Sequence, residues 1–173
     1  YYLARLLEGG EDPMFIARRL VILAAEDVGL ADPQALSVAV AAQQAAHLVG
    51  MPEGYLPLTQ AALYLATAPK SNSTIVAYGA AKEAVQQTLN APIPLYLRNA
   101  VTGMQRSMGY GTGYKYAHDH AREGTGDVPM SERLHDYLPD SLRGRRFYEP
   151  SGHGKEAVIK KWLEVRSSPQ DDS

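Results

Sequence analysis

Helix-start and helix-stop signals in the first half of this sequence constrain its fold more than any other feature. Asp12-Pro13 and Asp32-Pro33 each place a capping carboxylate before a proline at the first helical position, where its missing N–H costs nothing. Gly29 and Gly50 end the two runs that follow. The pattern predicts an all-α fold, with a helical bundle core over residues 1–95.

Apolar residues at helical spacing predict which faces of these helices are buried. In the second run the stripe consists of Leu36, Val40 and His47, on a helix that is otherwise rich in alanine. Because small side chains let helix axes approach closely, this composition favours a compact bundle with ridge-into-groove packing.

The character of the chain changes after Asn90. Pro92 and Pro94 bias the residues before them towards extended geometry, and glycine and proline recur as far as Pro150. We expect residues 96–150 to form an extended segment, rich in glycine and tyrosine, that wraps the bundle. Residues 151–167 are predicted to form a C-terminal helix of the same domain, and residues 168–173 a disordered tail.

Composition excludes several classes of protein. The net charge is -2, so any contact with nucleic acid must be local. The absence of cysteine removes disulfides and thiolate zinc sites, and it fits a reducing cytoplasm. No apolar run approaches the roughly 20 residues of a membrane span, so no membrane partner is expected. Because Tyr1 stands within a helical pattern, we expect the chain to be a fragment of a longer protein.

A glycine–tyrosine cassette, residues 109–120, looks at first like a phosphate loop. Gly109-Tyr110-Gly111-Thr112-Gly113 has neither the spacing nor the Lys-Ser/Thr pair that such a loop needs. The dinucleotide fingerprint also fails, because its third glycine comes one residue early. The favoured interpretation is that the glycines permit tight turns while Tyr110, Tyr114 and Tyr116 anchor the segment. We therefore expect no cofactor-binding residue in this chain.

Two further patterns are weak signals for chemistry. His118 and His120 would point the same way on a strand, but two histidines without a third placed ligand seldom make a metal site. Ser151-Gly152-His153-Gly154 brings a hydroxyl near an imidazole without a nucleophile elbow. The sequence predicts no catalytic and no metal-binding residue.

A basic group is the best candidate for a functional contact, and it consists of Lys115, Arg143, Arg145 and Arg146. Guanidinium groups near aromatic rings can bind phosphate while the rings stack on bases. The alternative interpretation stays open at this point. Arg143 and Arg145 would then pair with carboxylates such as Asp136, Asp140 or Glu149.

Eight segments, in order along the chain, carry a resemblance to a known family: residues 6–13, 15–20, 25–33, 50–54, 68–72, 94–100, 113–119 and 142–150. They include Pro94-Leu95-Tyr96-Leu97-Arg98-Asn99-Ala100 and Gly113-Tyr114-Lys115-Tyr116. From residue 2 to residue 166 the chain resembles the C-terminal region of the RarA/MgsA replication-associated recombination ATPases, which are relatives of the eukaryotic Werner-helicase-interacting ATPase.

The resemblance implies a helical domain like the clamp-loader collar, C-terminal to an AAA+ ATPase module. It implies a non-catalytic role in assembly into homotetramers, in a protein that acts at stalled replication forks and single-stranded DNA gaps. ATP and Mg would bind upstream of this chain, DNA would bind through the full-length protein, and a single-strand-binding protein is an implied partner. The alternative function is a module of the same ATPase that contacts single-stranded DNA.

Overall fold

The computed structural model describes residues 1–114 and 137–167, which fall into two compact units. Unit 1 comprises Tyr1–Gly79 and Tyr148–Lys161, and unit 2 comprises Ala80–Phe147 and Trp162–Ser173. All regular elements in the described ranges are helical, which confirms the predicted all-α class. The α-helices are α1 (Tyr2–Glu8), α2 (Pro13–Leu23), α3 (Gln34–Val49), α4 (Tyr55–Thr67), α5 (Ser73–Gln87), α6 (Gly103–Ser107) and α7 (Gly154–Ser167).

Both predicted helix starts are present in unit 1, although α3 begins at Gln34, one residue after the predicted Pro33. The carboxylate of Asp12 accepts a hydrogen bond from the Met14 amide at 2.9 Å, and Asp32 accepts one from the Gln34 amide at 3.1 Å. Each bond satisfies one of the amides that a helix start leaves without an intrahelical partner. The run predicted to reach Gly29 is more irregular than expected, because α2 ends at Leu23 and passes into a π-helical turn, Ala24–Val28.

The core of unit 1 lies among α2, α3 and α4, each of which packs against the other two. One cluster of buried residues contains Ala24, Val28, Ala35, Ala39 and Leu65. A second contains Ala17, Ala46 and Leu58. Alanine supplies most of these side chains, so the helices approach closely, as the composition predicted.

The prediction of which face of α3 is buried is wrong. The observed buried face is rotated by about a quarter turn from the predicted one. The structure buries Ala35, Ala39, Ala42 and Ala46, whereas Leu36 and Val40 are 44% and 37% exposed. His47 is exposed as well. The close approach of α3 to α2 and α4 leaves room for methyl groups only, so the larger side chains lie beside the contact.

In unit 2, the described residues between α5 and α7 form short elements joined by turns. A 3-10 turn, Leu95–Leu97, comes before α6, whose start carries a complete capping box formed by Thr102 and Gln105. A second 3-10 turn is Asp140–Leu142. The wrapping of residues 96–150 around the bundle stays a prediction, and the predicted tail, residues 168–173, lies outside the described residues.

Candidate functional site

The described part of the glycine–tyrosine cassette uses its backbone amides within unit 2. The amide of Gly111 donates to the Leu95 carbonyl at 2.8 Å. The amides of Gly109, Tyr110, Thr112 and Tyr114 also donate to backbone carbonyls. A phosphate cradle needs such amides to point at the ligand. These bonds therefore support the interpretation of the cassette as a turn.

Tyr110 is the cassette tyrosine with the clearest contacts. The Arg98 guanidinium lies over its ring, 5.1 Å from the centroid, and the Tyr110 hydroxyl is 3.3 Å from an Arg98 nitrogen. The Nε of Arg98 also donates to the Ile93 carbonyl at 2.8 Å. Tyr110 thus anchors the cassette to the segment around Leu95–Leu97. Tyr116 lies outside the described residues.

The predicted basic group is only partly described, because Lys115 lies outside the described residues. Arg143 forms an ion pair with Asp140, with 2.7 Å between Nη2 and Oδ1, and both side chains are exposed. Such a surface pair contributes little to stability. The Arg145 guanidinium lies over the Phe147 ring, 5.5 Å from its centroid, and Arg146 is exposed nearby. For Arg143, the structure shows one of the carboxylate partners that the alternative interpretation named.

Arg143 also lines a cleft of about 690 Å³ within unit 2. Residues 91–96 and 138–141 form most of its wall, and Arg98 contributes a second guanidinium. Three prolines, Tyr96 and Leu138 make the wall largely apolar. The cleft thus combines positive charge with aromatic surface, although the sequence did not indicate that these two segments meet.

Glu156, in the first turn of α7, is the side chain of unit 1 that accepts the most hydrogen bonds. Its carboxylate is fully buried. Oε1 accepts from the Ser73 hydroxyl at 2.5 Å and from the Tyr148 hydroxyl at 2.8 Å. Oε2 accepts from the Ser151 hydroxyl at 2.5 Å and from the Ser151 amide at 3.1 Å. We call this arrangement the Glu156 cage.

The Glu156 cage holds the carboxylate in its charged form. Burial by itself raises the pKa of Glu156, but hydrogen bonds from Ser151, Ser71, Ser73 and Tyr148 oppose this and lower the pKa from 4.5 to about 2. Burial and the bond to Glu156 raise the pKa of Tyr148 to about 12. Both groups therefore keep their charge states across the physiological range. The Ser151 hydroxyl, which belongs to the weak Ser–His pattern, donates to Glu156 and therefore has a structural role.

Lowering the pH is expected to reduce the free energy of unfolding of unit 1, because Glu156 becomes protonated. Because its folded-state pKa lies below the unfolded value, the carboxylate stabilises the fold fully above about pH 4.5, and this contribution is lost as the pH falls towards 2. A shift of this size corresponds to on the order of 3 kcal/mol. Denaturant unfolding at about pH 6, 4 and 3 would measure it, with Glu156→Gln as reference. The difference between wild type and variant should shrink at each step, and a constant difference would contradict the assignment.

A second feature of unit 1 is an uncharged apolar surface along α3 and α4. A shallow groove of about 230 Å³ is lined by Val38, Ala41, Ala42, Ala45, Pro57, Gln60 and Ala61. Leu48 is 85% exposed, and Leu56 and Leu63 are 55% and 63% exposed. Neither helix contains Asp, Glu, Lys or Arg. We call the groove and these three leucines the α3–α4 surface.

Both features were missed from the sequence, for different reasons. A signal for the α3–α4 surface is present in the chain, because residues 34–67 contain a single charged residue, Glu53. An exposed helix pair normally carries charges on its outer face, so their absence indicates a covered face. No local signal marks Glu156, because its partner Ser73 is 83 residues away.

Residues 1–114 and 137–167 contain no group of three or more His, Asp or Glu side chains that could hold a metal ion. The His118-x-His120 pattern lies outside these ranges. Among the helices of the same ranges, none has the length and apolar character to cross a membrane.

An all-helical domain of this kind is typical of the C-terminal region of an AAA+ ATPase. The chain belongs to the family described as MgsA AAA+ ATPase C terminal, which matches residues 1–167. It is 46% identical over 164 residues to replication-associated recombination protein A of Coxiella burnetii, covering 95% of this chain and 36% of that protein. The protein of the same name from Escherichia coli K12 is 41% identical over 160 residues, 92% of this chain and 34% of that protein.

The chain also matches only part of the length of a eukaryotic relative. The ATPase WRNIP1 of Dictyostelium discoideum is 42% identical over 149 residues, 86% of this chain and 16% of that protein. The chain spans about a third of the length of the two bacterial relatives. These comparisons confirm the predicted resemblance to the RarA/MgsA family.

Proposed function

We propose that this chain is the non-catalytic self-association domain of an AAA+ ATPase that acts in replication-associated recombination, and that it assembles as a homotetramer. The α3–α4 surface carries the proposal. Two facing copies of a surface without charged residues bring no like charges together, so the surface is electrostatically suited to meet itself. Exposed leucines beside a groove of alanines provide apolar area to bury between copies.

The other parts of the function belong to the whole parent protein. The relatives' names support replication-associated recombination as the process. ATP and Mg would bind in the AAA+ module, upstream of this domain, and DNA would bind through the full-length protein. A collar like that of clamp loaders would hold the ATPase modules together, and a single-strand-binding protein would be a partner.

Leu48→Glu combined with Leu63→Glu tests self-association. Both leucines are largely exposed, so the substitutions leave the core intact, while a charge buried between subunits without a partner is costly. Light scattering coupled to size exclusion should give a tetramer mass for the wild type and a smaller mass, that of a dimer or a monomer, for the variant. Association should weaken at least about a hundredfold.

The matched control is Val101→Glu, which adds a charge at an exposed apolar position of unit 2. It should retain the tetramer mass. A wild-type chain that is monomeric at micromolar concentration, and stays monomeric with the parent's ATPase module attached, would refute self-association. A tetramer that survives both leucine substitutions would place the interface elsewhere.

A second candidate function is contact with single-stranded DNA, and the Arg145–Phe147 pair favours it. An exposed guanidinium stacked on an aromatic ring can neutralise phosphate while the ring meets a base. Lys115, Arg143 and Arg146 would complete the contact. The cleft lined by Arg98, Arg143 and Tyr96 would offer a further place for an unstacked base.

Arg145→Glu combined with Arg146→Glu tests this candidate. Fluorescence anisotropy with a labelled oligonucleotide at several salt concentrations should show weaker binding and a shallower salt dependence, by about one to two counterions. Arg18→Glu with Arg19→Glu is a matched control, because Arg18 lies over the Phe15 ring at 5.2 Å in a similar pair. Binding that is equally affected by both double variants would indicate non-specific electrostatics, and unchanged binding would exclude the assigned arginines.

A further inference from the structure

The Glu156 cage joins two segments of unit 1 that are distant along the chain. Ser71 and Ser73 come just before and at the start of α5, Tyr148 and Ser151 lie ahead of α7, and Glu156 is in its first turn. The chain leaves unit 1 after Gly79 and returns to it at Tyr148. The cage therefore stands at the point where the returning chain is attached.

The attachment of the returning chain is mainly polar. The two buried apolar clusters, and the side chains packed against them, come from residues 3–68 and include none from residues 148–161. In α7, Val158 is largely exposed. Within the described ranges, the hydrogen bonds that Glu156 accepts come from neutral hydroxyl and amide groups. A buried carboxylate is stable only while these donors surround it.

This distribution separates the attachment from the core energetically. Opening the cage would expose polar groups that water can satisfy, whereas opening α2–α4 would expose the apolar clusters. Segments with few buried apolar contacts open at lower free energy than the core. Closing the cage also brings together the two ends of a long loop of the chain, and the entropic cost of loop closure works against it.

We propose that Glu156 is a latch, holding residues 148–161 on unit 1, and that the latch opens as a local event while α2, α3 and α4 stay folded. The state of the latch decides whether the start of α7 is fixed to the core. This device is independent of self-association, because none of its residues belongs to the α3–α4 surface.

Hydrogen exchange measured by mass spectrometry on the whole chain tests the latch. Glu156→Gln keeps the shape of the side chain, but its amide nitrogen cannot accept the bonds that one carboxylate oxygen accepted. In the wild type, the amides of residues 157–161 should exchange through an opening of lower free energy and smaller denaturant dependence than the amides in the middle of α3 and α4. Glu156→Gln should speed the exchange of residues 157–161 at least about tenfold and leave that denaturant dependence small. Glu149→Gln is the matched control, since it removes an exposed carboxylate from the same segment and should change neither region.

Two outcomes would overturn the latch. If residues 157–161 exchange in the wild type with the same opening free energy and denaturant dependence as the middle of α3 and α4, Glu156 belongs to one cooperative unit with the core. If residues 157–161 exchange as in the wild type, the cage does not hold them. Tyr148→Phe removes one donor and leaves the carboxylate, so it keeps the test valid should Glu156→Gln fail to fold. It should speed the exchange of residues 157–161 by about threefold.

Discussion

Gly154→Ala is expected to lower the free energy of unfolding by roughly 4 kcal/mol, the largest effect of a single methyl group in unit 1. Gly154 has a φ of 53°, a backbone conformation that residues with a Cβ rarely adopt. A Cβ at this position would overlap the carbonyl oxygen of Ala31 and lie 2.7 Å from Cγ of Pro69. Backbone atoms cannot move aside as a flexible side chain can, so α7 would have to shift away from its seat.

Two other glycines separate the components of this effect. Gly10 has a φ of 82° with open space around its Cα, so Gly10→Ala should cost only the backbone strain, about 1 kcal/mol. Gly152 has open space and an ordinary φ, so Gly152→Ala should be nearly neutral. Chemical denaturation of the three variants measures the series. If Gly154→Ala costs no more than Gly10→Ala, the close approach of α7 to Ala31 is wrong.

Leu65→Ala is expected to lower the free energy of unfolding by about 3 to 5 kcal/mol, at the upper end for this kind of substitution. Leu65 is 0% exposed and packs among Ala24, Val28, Ala35 and Ala39. Three of these neighbours are alanines, which have no rotamers with which to fill the space. The cavity would therefore persist, and a persistent cavity adds its own cost to the lost burial.

Leu6→Ala provides the comparison for Leu65→Ala, because Leu6 is an exposed leucine of the same unit. It should change stability by less than about 0.5 kcal/mol. Equal effects of the two substitutions in denaturant unfolding would mean that the α2–α4 core does not carry the stability of unit 1.

Much of the candidate function was predictable from the sequence, because eight segments resemble those of a known family and come in order along the chain. The spacing of the cassette predicts that it is not a phosphate loop, and the amide bonds of Gly109, Gly111 and their neighbours support its interpretation as a turn. The uncharged helices α3 and α4 could have been noticed, since charge is visible in a sequence. Which face of these helices is exposed was not predictable, because the alanines of α3 were equally compatible with either face being buried.

Local chemistry is what the sequence determined by itself. The helix starts at Asp12 and Asp32 followed from it, because a capping carboxylate bonds an amide two residues away. The all-α class followed from the same signals. Tertiary structure alone decided which face of α3 is buried, where the returning chain is attached, and that Glu156 is buried and charged. Those outcomes depend on groups that are far apart in the chain, such as Ser73 and Glu156, and become neighbours only when the helices pack.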